Sequence, residues 1–150
     1  MTRSISWCLI ICVAAIIVVC AIAKPEYLSD KNEFLHHFVN QELLALLGII
    51  MTITLASVAS LHLEFNKVEE RVKKRFLVNT RRGVQQGAYA LIVLFALSVV
   101  LVVVKPLIHS GEVAVALANG LAVLIVFFNV MILLELTHLA FGIQPNCDGP

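Results

Sequence analysis

Four apolar runs, each about as long as a bilayer is thick, constrain the fold of this chain more than any other feature. They cover residues 5–23, 43–63, 83–104 and 113–139, and a helix needs about 20 residues to cross about 30 Å of hydrocarbon. Because backbone groups cannot remain unpaired in lipid, each run is predicted to be helical even where Val and Ile dominate. The sequence therefore predicts an all-α integral membrane protein, a four-transmembrane-helix bundle in which residues 1–150 form a single transmembrane domain.

The composition excludes a soluble domain. Hydrophobic residues make up 60% of the chain and charged residues 14%, and the mean hydropathy is +0.95, far more apolar than a soluble domain of this size could bury. The net charge of +1 argues against attraction of the whole protein to nucleic acid. We expect a multi-pass protein of the plasma membrane, which would be the inner membrane in a Gram-negative bacterium.

The first apolar run is either a retained anchor or a cleaved signal peptide. Ala21-Ile22-Ala23 resembles a small-x-small signal-peptidase site. Arg3 is the only charged side chain before the run, and the apolar core is long for a signal peptide, so retention is the favoured interpretation. Either fate leaves Lys24 on the far side of the membrane.

The distribution of Lys and Arg predicts the orientation, since positively charged loops stay on the cytoplasmic side. The central segment 64–82 is predicted to be cytoplasmic, which with four spans places both termini inside and leaves 144–150 as a disordered cytoplasmic tail. The first loop has only Lys24 and Lys31, and the third only Lys105. The basic residues of the central segment are Lys67, Arg71, Lys73, Lys74, Arg75, Arg81 and Arg82.

The same central segment contains an amphipathic pattern. Its apolar residues recur at three- and four-residue spacing, which is typical of a helix with one apolar face, and they are Phe65, Val68, Val72 and Phe76. A basic helix of this kind can serve as a topology signal, contact anionic lipid headgroups or dock a cytoplasmic protein. The regular stripe favours a packing partner. Asn79, Thr80 and Gly83 are predicted to form the turn that follows.

Several residues predict where helices begin and end. Asp30 with Glu33 three residues later is typical of an N-cap, so a helix is expected to start near Asp30 and continue into the second span. The Lys24-Pro25 and Lys105-Pro106 pairs are expected to end the first and third spans. Ser110 is the expected cap of the fourth span.

Small residues on two helices predict close helix packing. The second span has a ridge of small residues at four-residue intervals, and these are Gly48, Thr52, Ala56 and Ser60. The fourth span has a shorter ridge of Ala114, Ala118 and Ala122. Such ridges do not distinguish packing within one chain from packing between copies. A homo-oligomer is expected, since the apolar stripe of the basic helix could pack against another copy.

The fourth span has the polar residues most often associated with function in a membrane. These are Asn119, Asn129, Glu135 and His138, and an unpaired polar group in hydrocarbon costs at least a few kcal/mol. One interpretation is a pore lined by several copies of this helix. The favoured interpretation is that Asn129 forms a hydrogen bond to a neighbouring helix.

The sequence contains fragments of cofactor and catalytic motifs, but none is complete. Glu135-x-x-His138 is half of a carboxylate di-metal site, and the second half is missing. His62 and His138 are predicted near one membrane face, but interfacial histidines are more often hydrated than haem ligands. The four cysteines form no C-x-x-C pair. The sequence therefore predicts no metal, no cofactor and no enzyme.

Two functions follow from these patterns. The first is a non-enzymatic membrane assembly or interaction module, a self-associating bundle that presents its basic cytoplasmic helix to headgroups or to a protein. The second is an oligomeric, channel-like pore or membrane-perturbing effector lined by the fourth helix.

Overall fold

The computed structural model describes residues 3–72, 78–108 and 111–141, and its side chains over 7–67, 81–108 and 111–138. This part of the chain is almost entirely helical and contains no strand, which confirms the predicted all-α class. Five α-helices follow one another, namely α1 (Arg3–Ala23), α2 (Glu33–His37), α3 (Leu43–Val72), α4 (Val78–Val104) and α5 (Glu112–Phe141).

Within the described residues, three stretches of helix are long and apolar enough to cross a membrane. They are Glu33–Lys67, Arg81–Leu107 and Glu112–His138. The described apolar part of α1, Trp7–Ala23, is shorter than these three. The structure is therefore all-helical and compatible with a membrane location, and three of the four predicted spans meet the length requirement.

The long helices pack in the order α1, α5, α4, α3. Helix α4 packs against both α3 and α5, and α1 packs mainly against α5. The apolar core is divided into two clusters. The first contains Leu35, Val39, Leu43, Leu47, Leu101, Ala118, Ala122 and Ile125, and the second contains Phe65, Val84, Leu91 and Leu136. We call the ends of the bundle where these clusters lie the Leu43 end and the Phe65 end.

Two glycines lie where other helices pack closely against α5. A Cβ atom added at Gly120 would lie 2.5 Å from Cγ2 of Ile17 on α1. A Cβ atom added at Gly87 on α4 would lie 2.9 Å from Cδ2 of Leu136 on α5. Both distances are shorter than real Cβ contacts. These two interfaces therefore depend on glycine, which has no Cβ atom, at positions 87 and 120. Packing rather than hydrophobic exclusion drives such contacts in lipid.

The helix ends agree with the proline signals. Helix α1 ends at Ala23, and a 3₁₀ turn begins at Pro25. Helix α4 ends at Val104, and the turn Lys105–Leu107 contains Pro106. Proline has no N–H to continue the helix and disfavours helical backbone at the residue before it. These two predictions are confirmed, whereas the predicted Ser110 cap lies outside the described residues.

The turn predicted at Asn79, Thr80 and Gly83 is wrong. All three residues lie inside α4, which begins at Val78. Asn, Thr and even Gly cost at most about 1 kcal/mol each inside a helix, so neighbouring helical residues can override their turn preference. The connection between α3 and α4 falls within 73–77, outside the described residues.

The predicted start of the second membrane helix is also corrected. Asn32, not Asp30, caps α2, because its Oδ1 accepts hydrogen bonds from the backbone N–H groups of Phe34 (3.1 Å) and Leu35 (3.5 Å). The helix is not continuous either. In the stretch Phe38–Glu42, Val39 (φ −81°, ψ 59°) and Asn40 (φ −150°, ψ −136°) are not helical. We call these two residues the helix break.

Candidate functional site

The four polar residues predicted on α5 occupy different environments. Asn119 is fully buried and Asn129 is 2% exposed, whereas Glu135 and His138 are exposed. Asn119 and Glu135 are 16 positions apart, which is about 24 Å along a helix. These residues therefore do not form one site, and Asn119 has to be considered with residues from other elements.

Asn119 connects α5 to the loop that follows α1. Its Nδ2 donates to the Leu28 carbonyl oxygen (2.8 Å) and to Oδ1 of Asp30 (3.0 Å). Its Oδ1 is buried and has no donor among the described residues. Both N–H groups thus bind a segment about 90 positions away in the sequence, and this holds the loop over the Leu43 end of the bundle.

Asp30 also forms an ion pair with a largely buried lysine. Lys105 Nζ lies 2.9 Å from Oδ1 of Asp30, and the lysine side chain is 11% exposed. Lys105 Nζ also donates to the Val39 carbonyl oxygen at 3.5 Å. A buried ammonium group is costly unless it is paired and hydrogen-bonded. We call Asp30, Lys105 and Asn119 the clasp, because they join the loop, the end of α4 and α5.

The pKa of Asp30 is held below its ordinary value by the other clasp residues. Burial alone would raise the pKa of this carboxyl group, but hydrogen bonds from Asn119 and Lys105 and the positive charge of Lys105 outweigh it. His36, whose Nδ1 lies 3.4 Å from Oδ2 of Asp30, lowers it further. The clasp therefore favours an ionised Asp30.

A second ion pair joins the same loop to α5. Lys31 Nζ lies 2.6 Å from Oε1 of Glu112, and both side chains are about half exposed. The hydrogen bond and charge of Glu112 raise the pKa of Lys31. Solvent screens such exposed pairs, so they contribute little to stability. This pair is the natural control for the clasp, in which the side chains of Lys105 and Asp30 are 11% and 36% exposed.

Sequence reasoning assigned the clasp residues to other roles. The sequence predicts Asp30 as a helix cap. It predicts Lys105 as part of a helix stop and as the only basic residue of the third loop. The signal that could have joined them is the position of each charge directly beside an apolar run, where a single charge needs a partner. Which partner each one finds depends on how the helices pack.

Polar side chains between the two apolar clusters bond to their own helices. Thr54 Oγ1 donates to the Ile50 carbonyl oxygen at 2.7 Å, Ser98 Oγ to that of Phe95 at 2.7 Å, and Asn129 Nδ2 to that of Ile125 at 2.9 Å. Thr54, Ser98 and Asn129 are all buried. The hydrogen bond predicted from Asn129 to a neighbouring helix is therefore replaced, for Nδ2, by one within α5.

At the Phe65 end, α3 and α4 are joined by a polar contact. A guanidinium nitrogen of Arg81 forms a hydrogen bond with Nε2 of His62. His62 thus engages an arginine, and His138 is exposed. Among the described residues, no group of three or more His, Cys, Asp or Glu side chains is arranged to hold a metal ion.

The first residue of the predicted docking stripe is not free to bind a partner. Phe65 is 4% exposed and packs in the chain's own core with Val84, Leu91 and Leu136. Lys67 and Arg82 are exposed, and Arg81 is half-buried. The remaining stripe and basic residues have side chains outside the described part, namely Val68, Arg71, Val72, Lys73, Lys74, Arg75 and Phe76. Phe65 stabilises the bundle itself rather than a partner.

The long ridge of small residues is used within the chain at one position. A Cβ atom on Gly48 would make an ordinary 3.7 Å contact with Phe95 of α4. Thr52, Ala56 and Ser60 are exposed. On α5, in contrast, Ala118 and Ala122 are buried, and Ala114 is half-buried. The short ridge therefore packs inside the chain, and most of the long ridge does not.

The clasp carries an ion pair that joins the loop to the end of α4 and a hydrogen bond that joins it to α5. Among the side chains that the structure describes, no nucleophile is hydrogen-bonded to a base. Comparison with protein-family models, curated proteins and solved structures found no match for this chain.

Proposed function

We propose that this chain is a non-enzymatic, multi-pass membrane protein with four spans, both termini in the cytoplasm, and a basic cytoplasmic extension through which it assembles with partners. The observation that carries the proposal is the length of α3. It has 30 residues, about 45 Å of helix, against about 30 Å of hydrocarbon. Its charged residues begin at Glu64, so the last part of the helix extends beyond the apolar layer.

The extension has the charge needed to contact an anionic surface. Its basic residues are Lys67, Arg71, Lys73, Lys74 and Arg75, followed on α4 by Arg81 and Arg82. Each basic residue near an anionic membrane surface contributes about 1 kcal/mol of attraction. Since Phe65 is buried, the apolar contacts to a protein partner would fall to Val68, Val72 and Phe76.

The free part of the long ridge supports self-association. The hydroxyl groups of Thr52 and Ser60 donate to carbonyl oxygens of their own helix, those of Gly48 (2.8 Å) and Ala56 (3.1 Å). These donors are satisfied, so a second helix can approach without having to supply partners. Small exposed residues allow close approach of helix backbones in lipid. A second copy of α3 is the surface that fits this ridge.

The test of self-association compares two exposed alanines. Ala56 lies on the free ridge of α3, and Ala96 is exposed on α4. Adding the same three carbon atoms at each site with Ala56→Leu and Ala96→Leu should weaken association only at Ala56, by about tenfold or 1.4 kcal/mol. Single-molecule photobleaching in liposomes measures the dimer fraction. Equal behaviour of the two variants would contradict a dimer through this ridge.

The test of the basic extension uses a polarity-sensitive dye. The dye is attached to Leu77→Cys in a variant whose four native cysteines are replaced by alanine. Contact with headgroups predicts a blue shift in vesicles containing phosphatidylserine, which added salt reverses and which phosphatidylcholine vesicles do not produce. If the emission of the dye is the same in both kinds of vesicle, the extension does not contact anionic headgroups, and its partner would be a protein.

The alternative, a pore lined by α5 of several copies, has less support. Such a pore needs Asn119 and Asn129 to face neighbouring copies, and both are buried within one chain. Glu135 and His138 are exposed on α5 and are the residues that could still face a shared pathway.

A further inference from the structure

The helix break between α2 and α3 has no cause in the local sequence. No Pro or Gly occurs from Glu33 to Leu47. Sharp kinks in helices usually occur at such residues, at π-bulges or where a side chain inserts into the backbone hydrogen bonds, and the stretch Phe38–Glu42 has the wide π-type turn. Nevertheless Val39 and Asn40 are not helical. The residue types around the break do not explain it, so its contacts with other elements bear on it.

The contact at this point comes from the clasp. Val39 is fully buried, and its carbonyl oxygen accepts a hydrogen bond from Lys105 Nζ, 66 positions away in the sequence. In a continuous helix that oxygen would accept from the backbone N–H four residues later, at Leu43. In the structure, the N–H of Leu43 instead bonds to the carbonyl oxygen of Phe38. Lys105 thus replaces a helical donor at the break.

Lys105 is held in this position by Asp30. Its Nζ lies 2.9 Å from Oδ1 of Asp30, and Asn119 donates to the same oxygen at 3.0 Å. Removing the charge of Asp30 would leave the buried ammonium without its counterion, which favours movement of Lys105 towards water. The Val39 carbonyl oxygen would then need another donor, and Leu43 is the nearest in sequence.

We propose that the helix break is a two-state hinge, held broken by the clasp, and that release of the clasp lets residues 33–72 form one continuous helix. The two states exchange one donor for another at Val39: Lys105 in the broken state and Leu43 in the continuous state. The hinge lies on the same helix as the basic extension, so it connects the Leu43 end of the bundle to the opposite end. It does not depend on the proposed function.

The experiment measures the backbone conformation of Val39 and Asn40 directly. The full-length protein, isotope-labelled in nanodiscs, is compared with Asp30→Asn, which keeps the size of the side chain, and with Lys105→Met, which removes the ammonium group. Wild type should give non-helical ¹³C secondary chemical shifts at both residues. Both variants should give helical shifts, with amide exchange at 40–43 slowed by about tenfold or more as helical hydrogen bonds form.

The control is Lys31→Met, which breaks the exposed ion pair with Glu112 and should leave the shifts as in wild type. Helical shifts in the wild type, or unchanged shifts in Asp30→Asn, would overturn the hinge. Coil-like shifts with faster exchange would also overturn it, since the clasp would then only hold the fold together. If Lys105→Met does not fold, Asp30→Asn decides the matter alone.

Discussion

At the scale of single residues, Asn119 shows how a polar side chain on an apolar helix can join distant segments. Asn119→Leu removes the donors to Leu28 and Asp30. The Leu28 carbonyl oxygen loses this donor while Asp30 keeps its ion pair with Lys105, so we expect a loss of about 1–2 kcal/mol in the free energy of unfolding. Asn129→Leu is the matched control, because the described hydrogen bond of its Nδ2 stays within α5. Reversible unfolding in mixed detergent micelles measures both variants, and a larger loss for Asn129→Leu would contradict the role of Asn119.

The lowered pKa of Asp30 predicts how the clasp responds to acid. A carboxyl group whose pKa is lower in the folded state stabilises the protein above its unfolded pKa, near the ordinary value of 3.8, and this stabilisation is lost as the pH falls through the folded pKa. Wild type should therefore exceed Asp30→Asn in stability at neutral pH, and the difference should shrink below about pH 4. Melting temperatures across pH 2–7 test this, since a constant difference would show that the charge of Asp30 has no role. Glu112→Gln, in the exposed pair, should show a smaller effect.

At the scale of helices, the contact between α1 and α5 depends on a missing side chain. Gly120→Ala would bring a Cβ atom to 2.5 Å from Ile17, and overpacking of this kind costs about 1–3 kcal/mol. Gly48→Ala, which would make an ordinary 3.7 Å contact with Phe95, is the control and should be nearly neutral. Unfolding measurements should also show that adding Ile17→Ala recovers part of the loss. No recovery would mean that α1 does not pack on α5 at this point.

At the scale of the whole molecule, the topology can be tested by labelling single cysteines in intact cells. With both termini inside, Leu77→Cys should react with an impermeant maleimide only after the membrane is opened, because the basic segment is retained in the cytoplasm. Tyr27→Cys, an exposed position in the first loop, should react in intact cells. The reverse pattern would overturn the proposed orientation.

Ion flux separates the two functions of the whole molecule. Liposomes containing the purified protein should remain tight, because Asn119 and Asn129 are buried within the chain and offer no polar lining to a neighbouring copy. Asn129→Leu and Glu135→Gln should then change nothing. Flux that either substitution alters, at equal reconstitution, would support the pore instead.

The sequence by itself determined the all-α class and the C-terminal ends of α1 and α4. Apolar run length and hydropathy are local properties, and in lipid the backbone has to satisfy its own hydrogen bonds, so long apolar runs become helices whatever their neighbours are. Pro25 and Pro106 act through their own rings and the residues beside them. These predictions needed no knowledge of the packing.

Only the tertiary structure decided which polar and apolar side chains are used inside the bundle. Asn119 and Leu28 are 91 positions apart, and Lys105 and Val39 are 66 apart, so no local pattern could pair them. The same is true of Phe65. Its spacing predicted an exposed stripe, but it packs against residues of α4 and α5. A buried charge or carbonyl group takes whichever partner the packed helices bring near it, and for Asp30, Lys105 and Val39 that partner comes from elsewhere in the chain.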